Sequence, residues 1–236
     1  MTNSIAESRS RMALPALDAR AAVMQAALKV FERRGFAAAS VQDVLQEAGI
    51  SVGAFRQHFI WKEDILDAIA RDAARRTGTL AMLTPDGVMA RLNVLLERSG
   101  LGSTHIVPEL RPVARAMLRH GNDQLFHQIA ATTAEAIAPA MIMLIRDGVQ
   151  EGVFETPSPE LATELLLSLA QTRRTVFRQA LEATEAGDPD LGVELLSERL
   201  RSEAMIIERL LAIAPGRIEL PTAHALRRTL WDLATG

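Results

Sequence analysis

Residues 40–58 read SVQDVLQEAGISVGAFRQH, and their reading decides the fold. Ser40 is an N-cap residue placed before a short run with Val44 and Leu45 at helical spacing, and Ala48-Gly49 closes that run. Ile50 follows, then Ser51 offers a second N-cap for a helix of about two turns that ends near His58 and Phe59. Gly49 accepts the positive φ that a tight turn demands. Val44, Ile50 and Phe55 can then bury the angle between the two helices, which is the pattern of a helix-turn-helix. In that motif the second helix enters the major groove of DNA, its first turn meeting base edges and its flanks meeting phosphates. Val52, Gly53 and Ala54 are small enough for close approach, and Ser40, Gln42, Arg56, Gln57, His58 and Lys62 around them carry hydrogen-bonding groups for phosphates or bases.

Outward from this stretch, the chain reads as helix almost throughout. Val23, Ala27, Val30 and Phe31 share one face of a helix capped by Asp18 and stopped by Gly35, and a longer helix runs from about Lys62 to Thr77. Beyond Pro85, loop signals at Gly100–Ser103, Gly121-Asn122, Gly152–Pro159, Gly187–Pro189 and Pro215-Gly216 leave room for six further helices. Alternating β-branched runs are missing, so the fold expected is all-α. It divides into an N-terminal arm (1–17), a DNA-binding domain (18–66) and a helical body (67–236), to which the family resemblance described below assigns ligand binding and dimerisation. Arg9 and Arg11 in the arm suit either a DNA contact or a plain tail.

Composition sets the outer limits. The 236 residues are 48% hydrophobic, enough for an ample core, and the net charge of −3 excludes a wholly basic surface. Residues 1–76 hold 11 Lys and Arg against 9 Asp and Glu, whereas the remainder holds 15 against 20, so a mildly basic head precedes an acidic body. With no cysteine there are no disulfides, thiolate nucleophiles or cysteine-ligated metals. The first residues lack the apolar segment of a secretory signal, and the longest apolar run, Ile137–Ile145, is too short to span a bilayer. A cytoplasmic protein without membrane contact is expected.

Catalytic readings fail on context. Gly49-Ile-Ser-Val-Gly53 matches the Gly-x-Ser-x-Gly of serine hydrolases, but that elbow needs a strand before its serine, and Gln42–Ala48 reads as helix. The five histidines, His58, His105, His120, His127 and His224, form no Glu-x-x-His or His-Glu-x-x-His pattern. Phosphate-cradling glycine motifs are likewise missing. The expectation is therefore no enzyme, no metal and no cofactor.

The segment resembles the TetR family of repressors. Members show Phe-x-x-x-Gly, then Thr-x-x-x-Ile-Ala-x-x-Ala-Gly-Val-Ser-x-Gly-x-Leu-Tyr-x-His-Phe-x-x-Lys-Glu-x-Leu. This chain has Phe31 and Gly35, then Ser40, Val44, Leu45, Ala48, Gly49, Ile50, Ser51, Gly53, Phe55, His58, Phe59, Lys62, Glu63 and Ile65 at the same spacings. It departs at Arg56, where the family has a phosphate-binding tyrosine, and at Leu45, where the family prefers alanine. Arginine can hold a phosphate or reach guanine with two hydrogen bonds. The resemblance implies that Ser40, His58 and Lys62 hold phosphates, and that Gln42 and Val52–Ala54 face bases. It also implies a homodimer on a near-palindromic operator, released by a small, largely apolar effector.

In the body, Arg146–Phe154 and the Pro-Glu-Leu-Ala beginning at Pro159 resemble the family's approach to its dimerisation helices. The segments Pro159–Glu185 and Pro189–Ala214 carry apolar residues over more than one stripe, which suits a partner face or simple burial. Leu161, Leu165, Leu195, Arg199, Ile206 and Leu210 are the candidates for a dimer face. A helix from Asp123 to Gln150 contains Pro139, which should kink it near Glu135 and open a space. Phe126, Ile129, Ala130 and Thr133, with Asn93, Met117, Leu169, Arg173 and Phe177 from neighbouring helices, are effector-pocket candidates, ordinary core being the alternative for each. Trp61, beside Lys62, could stack on a sugar or a phosphate edge, but packing where head meets body is the favoured expectation. The rival overall reading is a helical protein-interaction module without ligand response.

Overall fold

The computed structural model describes residues 16–98, 111–118 and 121–235; the expected arm with Arg9 and Arg11, the Gly100–Ser103 loop, His105 and His120 lie outside them. Every regular element among the described residues is helical: α1 (Ala16–Arg34), α2 (Val41–Ala48), α3 (Val52–Arg56), α4 (Lys62–Leu83), α5 (Gly87–Arg98), α6 (Arg111–Leu118), α7 (Asp123–Gln150), α8 (Pro159–Thr172), α9 (Arg174–Glu185), α10 (Pro189–Leu210) and α11 (Ala223–Ala234). The chain forms two compact units, residues 1–65 and 66–236, and the boundary falls inside α4.

In the first unit, α1 buries Val23, Ala27, Val30 and Phe31 and stops at Gly35, whose N–H donates to the Phe31 carbonyl at 2.8 Å. Asp18 lies inside α1 rather than at its N-cap, because the helix begins at Ala16. Val44, Leu45, Phe55, Phe59 and Ile65 complete a small core from α2, α3 and the start of α4.

The second unit has two hydrophobic clusters joined by α10. The second half of α10, at Ala204 and Ile207, packs with Leu92 and Leu95 of α5, Ile137, Met141 and Leu144 of α7, and Leu166 of α8. Its first half, at Val193, Leu196 and Leu200, packs with Ala180 of α9 and Leu226 and Leu230 of α11. Gly192 allows the α9–α10 approach, since a Cβ there would lie 2.5 Å from the Ala180 carbonyl oxygen.

Several elements depart from expectation. Seven described helices, not six, follow Pro85, because Pro159–Glu185 is two helices interrupted at Arg173. No glycine or proline marks that interruption. The Thr172 hydroxyl donates to the Ser168 and Leu169 carbonyls, and the Arg173 side chain turns inward to Glu203. α4 extends to Leu83 and α3 closes at Arg56, with Gln57 as its C-cap. α7 is continuous through Pro139; Pro139 and Glu135 are both exposed, so the hydrogen bond lost to proline falls on the outer face. By length and composition α7 could cross a membrane, but its Ile137, Met141, Leu144 and Ile145 are core residues of the second unit.

Candidate DNA-reading site

The α2 N-terminus is closed by a reciprocal cap. Asp43 N donates to Ser40 Oγ at 3.2 Å, while Ser40 N and Ser40 Oγ donate to Asp43 Oδ2 at 2.9 and 2.7 Å. These two donors, with Arg34 at 2.9 Å from Asp43 Oδ1, hold the Asp43 carboxyl below the usual carboxylate range. At the other end of α2, Gly49 sits at φ 66° and its N–H bonds the Leu45 carbonyl. Ser51 Oγ then accepts from Ala54 N at 3.2 Å, so Ser51 is a helix cap following a helix, which disposes of the hydrolase elbow.

This frame puts α3 on display. Phe55 turns into the core, whereas Val52, Gly53, Arg56 and Gln57 are exposed and Ala54 is half-buried. Gln42 is exposed on α2. Glycine at 53 is not imposed by the protein: the helix tolerates a Cβ there, whose nearest neighbour would be Ser51 Oγ at 3.8 Å.

The remaining expected phosphate contacts are engaged internally. Lys62 Nζ donates to the Phe36, Ala37 and Ala39 carbonyls at 2.9, 3.3 and 3.1 Å and lies 4.6 Å from the Phe36 ring centroid, so its three donors tie down the segment between α1 and α2. Ser40 spends its hydroxyl proton on Asp43. His58 is half-buried, with Nε2 enclosed and unbonded. Lys29 and Arg33 pair with Glu47, Arg34 pairs with Asp43, and Arg20 lies over the Phe59 ring. Of the described cations of the first unit, Arg56 alone has no partner within the protein, and it stands at the end of the displayed helix.

The effector candidates divide among several places. Asn93 gives both ends of its amide to the backbone of 217–219, donating to Arg217 O and accepting from Glu219 N, each at 3.2 Å. Leu169 and Phe177 flank different hydrophobic clusters. Arg173 is buried and bonds Glu203 through Nε, at 3.0 Å, and Nη2; burial pulls its guanidinium below the usual range while Glu203 opposes the shift. Phe126 and Ile129 are buried on α7, Ala130 and Thr133 half-buried, and Met117 half-buried on α6. Arg174, which the sequence reading missed, draws this last region together. Its guanidinium lies 4.5 Å from the Phe126 ring centroid, Nε donates to the Met117 carbonyl at 3.0 Å, Nη1 pairs with Asp123, and Nη2 is buried and unbonded. The only cue in the sequence was the Arg173-Arg174 doublet, which does not say which arginine goes where.

On α8 and α10, which pack together, Leu161, Leu165 and Ile206 are exposed. Leu195 and Leu210 are partly buried against the two clusters, and Arg199 bonds Glu203, Thr172 Oγ1 and the Leu169 carbonyl. Trp61 is 66% exposed.

Comparison with known proteins agrees with this geometry. Residues 23–69 match the family of bacterial regulatory proteins, tetR family. Among solved structures, a TetR-family transcriptional regulator from Pectobacterium atrosepticum is 20% identical at a TM-score of 0.58, with 89% of this chain and 98% of that one covered. GusR of Salmonella enterica is 18% identical at 0.54, covering 86% of this chain and 100% of that one. A TetR transcription regulator from Haloarcula marismortui is 23% identical at 0.51, covering 83% and 99%. The chain has the fold of these regulators.

Proposed function

We propose, from the match of residues 23–69 to the tetR-family helix-turn-helix and from the fold shared with such regulators, that this chain is a TetR-family transcriptional regulator and a cytoplasmic repressor. It binds a near-palindromic operator as a homodimer and leaves it when a small, largely apolar effector occupies the second unit. The observation that carries the reading is the display of α3: Ser51 caps it, Phe55 anchors it, and Val52, Gly53, Arg56 and Gln57 face outward. A helix so presented suits major-groove entry, with Gln42 and the Val52–Ala54 turn meeting bases and Arg56 meeting a phosphate or guanine. Ser40 and Lys62 then serve DNA binding by shaping the head.

Two recognition helices need a two-fold partner to read adjacent grooves. The exposed Leu161 and Leu165 of α8 and Ile206 of α10 support a self-complementary face, with Leu195, Arg199 and Leu210 behind it. Leu165→Glu with Ile206→Glu is expected to give a monomer in sedimentation velocity and to weaken operator binding at least tenfold; an unchanged mass moves the dimer face elsewhere. α4 belongs to both units, so an effector that favours one arrangement of the second unit can shift the population competent for DNA.

Selection of duplexes from random DNA tests the central claim. A bound, near-palindromic consensus is expected, with affinity falling steeply as salt rises. Recovery of no sequence, with no salt-dependent binding, would leave the helical interaction module as the reading.

A further inference from the structure

Among its described residues the head has one cation without a partner and two large apolar side chains in the open just before α4. Its other described cations have partners inside the protein, leaving Arg56. Yet Ile60 and Trp61, which precede α4, are 62% and 66% exposed. The backbone that carries them is held: Ile60 N and Trp61 N donate to Asp64 Oδ2 at 2.9 and 2.8 Å. The next residue, Lys62, is tied to the carbonyl of Ala39, the residue before Ser40. Trp61 therefore stands one residue from a tether to the start of α2, on the segment that follows the recognition helix.

We infer that Trp61, with Ile60, makes an apolar contact with the deoxyribose edge of the operator backbone beside the start of α2. The inference rests on the DNA-reading role proposed above. Sugar carbons offer a surface that an indole ring and a branched side chain can cover, and removing that apolar area from water adds affinity without releasing counterions. Trp61 follows Gln57, the C-cap of α3, by four residues and precedes Lys62, whose ammonium bonds the carbonyl just before Ser40, so along the chain the segment is flanked on both sides by parts of the helix-turn-helix proposed to read DNA.

Trp61 and Trp231 are the only tryptophans, so Trp231→Phe in the full chain leaves Trp61 as the sole indole reporter. The probe is the duplex recovered by selection from random DNA. Its addition is expected to change the Trp61 emission. Trp61→Ala should weaken binding roughly tenfold per head, the loss expected for some tens of Å² of apolar surface. Its plot of log affinity against log salt should keep the wild-type slope, whereas Arg56→Ala should make the slope shallower by about one per head. Trp61→Phe should retain most of the affinity. The inference is overturned if the duplex binds without altering Trp61 emission and Trp61→Ala binds within twofold of wild type. It is equally overturned if Trp61→Ala changes the sedimenting mass without DNA, since a second copy then covers the ring. Failure of the wild type to select any duplex defeats the DNA-reading role itself and is distinct from both.

Discussion

Gly53 and Arg56 lie on the same short helix and carry opposite requirements. At Gly53 the protein leaves ordinary van der Waals room for a methyl group, with Ser51 Oγ at 3.8 Å, and glycine costs a helix roughly 0.5–1 kcal/mol relative to alanine. The residue is therefore unfavourable for the fold and favourable for whatever approaches α3. Gly53→Ala is expected to leave the melting temperature equal or slightly higher while weakening operator binding at least fivefold. Improved or equal binding would mean that no base or sugar comes near this position. At Arg56, partnership sets the residue apart: the other described cations of the head are engaged in ion pairs, carbonyl contacts or a ring face, which is why Arg56 is the one proposed to meet DNA. Lys62, by contrast, matches the family motif in sequence and spends its donors on the Phe36, Ala37 and Ala39 carbonyls. Motif spacing located both residues; only their neighbours showed which one is free.

At the scale of the element, α2 depends on a carboxylate. Asp43 receives hydrogen bonds from both the backbone and the hydroxyl of Ser40 and faces Arg34, so its folded pKa is depressed below the ordinary value. A depressed carboxylate contributes stability above its unfolded pKa and loses it as pH falls through the folded one. Asp43→Asn should therefore melt below the wild type at neutral pH, and the gap should close as pH drops beneath the ordinary carboxylate range. A gap independent of pH would show that the charge of Asp43 contributes nothing. The Ser40 cap was legible in the sequence, as were the Gly49 turn and the Ser51 cap, because these are local interactions between near neighbours in the chain, whereas the reciprocal part played by Asp43 came from the structure. The α8–α9 interruption at Arg173 was not. The residue at that break bonds a partner 30 residues away, Glu203, on α10.

The whole molecule turns on that same pair. Arg173 and Glu203 are buried in the second unit, with Glu203 between the Leu200 end of one hydrophobic cluster and the Ala204 end of the other, and Arg199 also reaches its carboxylate. Removing one partner of a buried ion pair costs about 3–5 kcal/mol, while replacing both with apolar residues is often neutral or better. Arg173→Met should lower the melting temperature markedly, the loss being moderated by Arg199, and Arg173→Met with Glu203→Leu should recover most of it. Equal destabilisation by the single and double changes would show that the pair contributes no more than its shape. The sequence by itself determined the all-helical class and the helix-turn-helix of residues 40–58, because caps, turns and helical periodicity are set within a few residues. Which arginine ties α9 to α10, which one lies on Phe126, why Lys62 turns inward and why Trp61 stays outside were decided only by tertiary structure. The fate of a long polar or aromatic side chain depends on partners that folding brings from distant parts of the chain.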